Sequence, residues 1–157
     1  MTSISPPDIT VFHIADWFLA KAKSENKPLK HMKLQKLVYF AYGWHYAYTD
    51  MPLFGEKIYA WRHGPVVKDL YERFKPFKGN PITGDVNCQS VNEFVESVLE
   101  GVWVAYEHYP DTHLSKITHR PDSPWTQAYR SYEWDAEIAP ESIRDYFKER
   151  LRKYDHA

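Results

Sequence analysis

Residues 32–48, MKLQKLVYFAYGWHYAY, limit what this chain can fold into more than any other stretch. Past the first turn they are apolar on nearly every side of a helix. Leu34, Leu37, Val38, Ala41 and His45 fall on one side, and Phe40, Gly43, Trp44 and Ala47 on another. A helix with no wet face belongs at the centre of a fold, wrapped by other elements. Gly43 in its middle is intrinsically unfavourable, which predicts that another backbone packs closely there. His45, on the buried side, reads as a hydrogen-bonded core histidine rather than a general base.

The flanking sequence supplies the wrapping. Asp8 or Thr10 caps a helix running to about Lys23, with Val11, Ile14, Ala15, Phe18 and Ala22 on one face. "EKIYAW" has the alternation of a short strand, Ile58 and Ala60 on one face and Tyr59 and Trp61 on the other. Gly64-Pro65 then looks like the start of a third helix carrying Val67, Leu70, Tyr71 and Phe74. Residues 75–87 form a long connection, extended in part and covering the core. Ser90 or Asn92 opens a fourth helix to about His108, with a buried stripe of Phe94, Val95, Val98, Val102 and Ala105, flanked by Trp103 and Tyr106. A short helical piece spans about Leu114 to Thr118, and Ser123-Pro124 caps another toward Arg130. The last helix points Ile143, Tyr146, Phe147, Leu151 and Tyr154 inward. The expected class is mainly α, a compact orthogonal helical bundle with a small β-strand or hairpin element, in a single domain over residues 1–157.

Bulk chemistry narrows the function classes. Twenty basic against 21 acidic residues leave a net charge of −1, so no nucleic-acid or anionic-membrane partner is expected. No stretch resembles a signal peptide or a membrane span. The lone cysteine, Cys88, fits a reducing compartment, and a cytoplasmic domain is expected. The aromatic share, 17%, provides large buried area and, where exposed, surface suited to a protein partner.

Catalytic and metal chemistry leave no signature. The histidines of "HYPDTHLSKITH" match no common zinc spacing, and one cysteine supplies no thiolate pair. No serine sits in a G-x-S-x-G elbow. No catalytic residue, metal ligand or cofactor is therefore assigned. A small metal-dependent hydrolase stands as the minor alternative, requiring His45, His63, His108 or His119 to converge with a carboxylate. The segment YAWRHGPVVKDLYERF, residues 59–74, holds the remaining question. Free amides at a helix start after Gly64-Pro65, with Arg62, His63 and Lys68 beside them, would suit a partner's carboxylate. An ordinary strand-to-helix turn, with Arg62 bonded to Glu56 or Glu72, explains the same residues.

Three segments, taken in order, resemble the Panacea domain family, which includes SocA-like antitoxins and phage-associated proteins of the GepA type. In residues 32–75 the pattern falls on Leu34, Lys36, Leu37, Tyr39 to Ala41, Gly43, Trp44, His45, Pro52 to Phe54, Ala60, Trp61, Gly64, Pro65, Val66, Val67 and Tyr71. The second, "LSKITHRPDSPW", contributes Leu114, Ser115, Thr118, His119, Pro124 and Trp125, and the third Ile143, Tyr146 and Phe147. The resemblance covers about residues 10 to 150. His63 stands where such proteins often carry tyrosine, so no shared role passes to it.

The resemblance implies an antitoxin that neutralises a cognate protein toxin by direct binding. A second implied mode is an adaptor delivering the toxin to a Clp-type protease. Such proteins often carry an appended DNA-binding domain, for which a chain of this length is expected to have no room. Lys36, Tyr39, Gly43, Trp44, His45, Trp61, Gly64, Pro65 and Tyr71 are expected to be mainly structural. Arg62, His63, Lys68, His119 and Trp125 are the candidate partner-binding residues. Oligomeric state is not specified.

Overall fold

The computed structural model describes residues 3–130, 132–133 and 135–155, the side chains of 154 and 155 excepted. The chain is mainly α with a small antiparallel sheet. In order it forms α1 (Val11–Ser24), α2 (His31–Thr49), β1 (Ile58–Trp61), β2 (Gly64–Val67), α3 (Lys68–Phe74), a 3-10 turn (Lys75–Phe77), α4 (Glu93–Tyr106), α5 (Asp111–Thr118), α6 (Pro124–Ala128), β3 (Ala136–Glu137) and α7 (Pro140–Asp155).

Helix α2 is the axis of the fold. From Leu34 to Ala47 every residue except Trp44 is buried, and α7, α4, α1 and α5 all pack against it. Its all-round apolar pattern leaves no other place for it. The close approach at Gly43 is made by a side chain and not by a backbone. A Cβ on Gly43 would fall 2.3 Å from the Phe147 ring of α7. That ring also meets Tyr39 and Trp44 edge-on, at 5.7 and 5.0 Å. On the α4 side, Phe40 stacks on Tyr106 at 4.0 Å, and the Trp44 indole N–H donates to the Tyr106 hydroxyl at 3.0 Å. His45 is a core histidine bonded through Nδ1 to the Met51 carbonyl at 3.0 Å.

Local signals set three of the helix starts. Thr10 caps α1. Asn92 caps α4 by accepting from the Val95 N–H at 2.8 Å. Ser123 caps α6, accepting from the Thr126 N–H with Pro124 at the first helical position. The 75–92 connection lies over the core, anchored where Ile82 N–H donates to the Leu29 carbonyl and Ile4 pairs with Val91.

Three expectations need correction. The residues after Gly64-Pro65 are a strand and not a helix start. Val67 is the N-cap, and α3 begins at Lys68. β2 pairs antiparallel with β1, with Trp61 opposite Gly64 and Ala60 opposite Pro65. The sheet order β2-β1-β3 makes β2 an edge, where a proline removes no necessary donor. The stripe on α4 is also rotated. Val95, Val98, Leu99, Val102 and Trp103 are buried, while Ala105 is exposed and Phe94 is 47% exposed. Finally, α4 ends at Tyr106 and α6 at Ala128, each two residues earlier than expected. The inward position expected of Tyr154 falls outside the described side chains.

Candidate partner-binding interface

The hairpin β1–β2 turns through Arg62 and His63, both exposed, and three elements hold that turn in place. From α2, the buried Gln35 amide brackets Val67. Its Oε1 accepts from the Val67 N–H at 2.9 Å, and its Nε2 donates to the Val67 carbonyl at 3.2 Å. From α5, the Ser115 hydroxyl donates to the His63 carbonyl at 2.7 Å. From α6, the Trp125 indole N–H donates to the Trp61 carbonyl at 2.6 Å. Backbone groups of the hairpin are satisfied by side chains from three helices, which fixes the corner.

Gly64 closes the turn at φ +125, a conformation L side chains rarely adopt. Space demands glycine as well. A Cβ there would fall 2.5 Å from Lys36 Cε and 3.1 Å from Thr118 Oγ1. Lys36 is fully buried, and no hydrogen-bond acceptor of the described protein reaches its Nζ. Burial pushes its amine down to about 7, opposed only by the more distant Asp111 carboxylate. His119 is a second orphan, its Nε2 buried without a partner. Burial first, and then the nearby Lys36 and His63, hold its imidazole below the usual range.

Over this pair lies a ladder of rings. His119 stacks on Trp125 at 3.7 Å, and Trp125 on Tyr129 at 4.5 Å. On the far side Trp61 meets Tyr71 edge-on at 4.9 Å. Between them opens a cleft of about 420 Å³ lined by Trp61, Arg62, His63, Tyr71, Tyr129 and Arg130, with Met32 of α2 also at its wall.

Four of the five residues expected to meet a partner, Arg62, His63, His119 and Trp125, therefore gather at one corner. Lys68 flanks it. Its ammonium is ion-paired with Asp135 and lies 4.5 Å above the Tyr59 ring, while the Trp61 indole N–H also donates to Asp135. The hydrogen bond to Lys68 lowers the Asp135 carboxyl and raises the Lys68 amine. Arg62 bonds neither Glu56, which accepts from the Val11 N–H, nor Glu72, which pairs with Lys75. Gln35 and Ser115 are essential to the corner and were not singled out as functional from sequence. A lone glutamine inside an apolar helix was the available signal.

The two other histidines of the hydrolase alternative do not join this corner. His45 is held in the core, and His108 lies against Tyr109 at 4.1 Å. Among the described residues no three His, Cys, Asp or Glu side chains come together as a metal-ligand set. No described helix is long and apolar enough to cross a membrane. A second concave surface of about 540 Å³ lies between α2, α4 and α7, lined by apolar residues including Trp44, Tyr48, Phe94 and Leu151.

The model of the antitoxin SocA-like family, Panacea domain, matches residues 34–126. The chain belongs to that family. The matched stretch begins in α2 and ends in α6, and it contains Lys36, Gly64, Thr118, His119 and Trp125, the parts of the corner just described. The chain is also similar to Antitoxin SocA of Caulobacter vibrioides (strain NA1000 / CB15N), 26% identical over 136 residues, covering 76% of this chain and 70% of the relative. No solved structure matches.

Proposed function

We propose that this SocA-like protein is the antitoxin of a toxin–antitoxin pair, that it neutralises a cognate protein toxin by direct binding, and that the hairpin corner is the binding surface. The family match carries the antitoxin reading, and the matched residues include Lys36, Gly64, His119 and Trp125 of the corner. The corner itself has the make-up of an interface centre: rigid aromatic side chains with arginine at the rim, on a backbone held from three helices. On this reading the protein is a cytoplasmic binding module that uses no cofactor and performs no catalysis, with no membrane or nucleic-acid partner.

Co-expression with the product of the adjacent gene tests it. Growth is restored by the wild-type chain, and the two proteins co-purify at fixed stoichiometry. Persistent toxicity at equal expression contradicts the reading. A second mode, implied by the family resemblance, has binding deliver the toxin to a Clp-type protease. That mode predicts a toxin half-life shortened by the antitoxin only while the protease is active.

A further inference from the structure

The arginines of this chain are unevenly neutralised. Of seven, Arg73, Arg144, Arg150 and Arg152 each have a carboxylate within ion-pair range. Among the described residues Arg62, Arg120 and Arg130 have none, and all three belong to the corner. Arg62 and Arg130 line the cleft itself, and Arg120 follows His119 in the loop before α6. The Arg130 guanidinium reaches only backbone carbonyls, those of Gln127 and Tyr129. Two carboxylates that follow Arg130 in the chain do not compensate. Asp135 is engaged by Lys68 and Trp61, and Glu133 pairs with Arg130 through its backbone without an ion pair.

A second observation is independent of the surface. Behind the turn, packed against Gly64, lies the fully buried Lys36 amine with no acceptor, and beside it the orphan Nε2 of His119. Buried cationic groups are normally paired within the protein. Lys36 and His119 thus stand behind the turn as polar groups without a partner, their charged forms disfavoured by burial, while the unpaired charge at the cleft is that of Arg62 and Arg130, in a chain whose net charge is −1. The walls between the arginines are Trp61, Tyr71 and Tyr129, which offer apolar and π surface but no acceptor array.

We infer that this cleft receives an acidic segment of the toxin, a carboxylate held by Arg62 and Arg130 next to an apolar or aromatic side chain seated among Trp61, Tyr71 and Tyr129. The inference rests on the antitoxin reading and adds the chemistry of what is recognised. Two arginines facing one opening suit bidentate capture of a carboxylate, and rings suit the neighbouring side chain. A single-stranded nucleic acid would also find rings and arginines, but a short cleft with two arginines offers no basic groove to follow a backbone.

The test is calorimetric titration of the protein whose toxicity this chain relieves in co-expression into wild-type protein, R62K/R130K and R62E/R130E, at low and high salt. Thermal unfolding of each variant verifies that the fold is intact. Binding by R62E/R130E is expected to weaken about 100-fold or more, and R62K/R130K to lie between it and wild type. At least one Asp→Lys or Glu→Lys substitution on the toxin should restore binding to R62E/R130E. Binding of R62E/R130E within twofold of wild type overturns the cleft and leaves the antitoxin reading standing. So does a single-stranded oligonucleotide that displaces the toxin from the wild-type cleft. A wild-type chain that binds no toxin at all overturns both.

Discussion

Lys36 and Gly64 compete for one volume. A Cβ built on Gly64 would lie 2.5 Å from Lys36 Cε and 3.1 Å from its Nζ, on a backbone with φ of +125. The lysine from the central helix and the glycine of the hairpin turn thus form a single packing unit. Gly64→Ala is expected to cost about 2–4 kcal/mol, the sum of backbone strain and overpacking. The cost should fall in a Lys36→Ala background, where the steric part is relieved and the strain remains. A double-mutant cycle by urea denaturation measures the coupling, and strict additivity would refute the contact.

The buried amine also predicts a pH dependence. Lys36 titrates at about 7 in the folded chain and near 10.5 when unfolded. Between those values the unfolded chain holds a proton that the folded chain does not, so stability rises with pH across the window. The steepest slope is about 1.4 kcal/mol per pH unit. Below pH 7 the burial penalty is fully present. His31, lowered to about 4 by burial, adds a similar rise between pH 4 and 6.5. Lys36→Met should be more stable than wild type at pH 7 and flat from 7 to 10, read from denaturant midpoints.

Partner binding should load that amine. An acidic segment in the cleft favours the protonated form of Lys36, whose charged and titratable neighbours are His31 of α2 and Asp111 and His119 around α5. Calorimetry near pH 7.5 in buffers of different ionisation enthalpy is expected to show net proton uptake on binding the toxin. In Lys36→Met the uptake should drop. Equal uptake in both proteins would assign the proton elsewhere.

Gln35 is the hinge pin between helix and hairpin. Gln35→Leu keeps the volume but strands the buried N–H and carbonyl of Val67, at a cost of about 2–4 kcal/mol. Chemical denaturation gives the cost. Amide exchange at Val67 should rise well above that of neighbouring strand residues.

Packing on the opposite side of α2 is equally specific. Phe147→Ala removes a ring buried against Gly43, Tyr39 and Trp44, and should destabilise by about 3–5 kcal/mol. Gly43→Ala should be costly in the wild type and much less so beside Phe147→Ala.

What the sequence disclosed, and what it hid, follows from the kind of signal. The burial of α2 was plain, because no alternative placement exists for a helix apolar all round. The Asn92 and Ser123-Pro124 starts were equally legible, since capping is local chemistry. Gly64-Pro65 misled because a helix's first position and a sheet edge accept proline for the same reason: neither needs its N–H. The α4 stripe slipped because Phe94, Val104 and Ala105 blur the periodicity, and only tertiary packing selects Leu99 and, against Phe18 of α1, Trp103. At the corner, the aromatic and basic residues stood out individually. Their convergence did not, because it is made by contacts between elements far apart in sequence: Ser115 and Trp125 reaching the turn, Gln35 reaching Val67. The two-residue strand β3 left no pattern to find.

Amide hydrogen exchange on the protein alone and saturated with its toxin tests the central claim most directly, because it reports on every surface at once. The account predicts new protection concentrated in residues 59–65 and 119–130, the hairpin and the loop and helix that clamp it. Protection confined to α4 and the end of α7, around Phe94 and Leu151, with the hairpin exchanging as before, would contradict it.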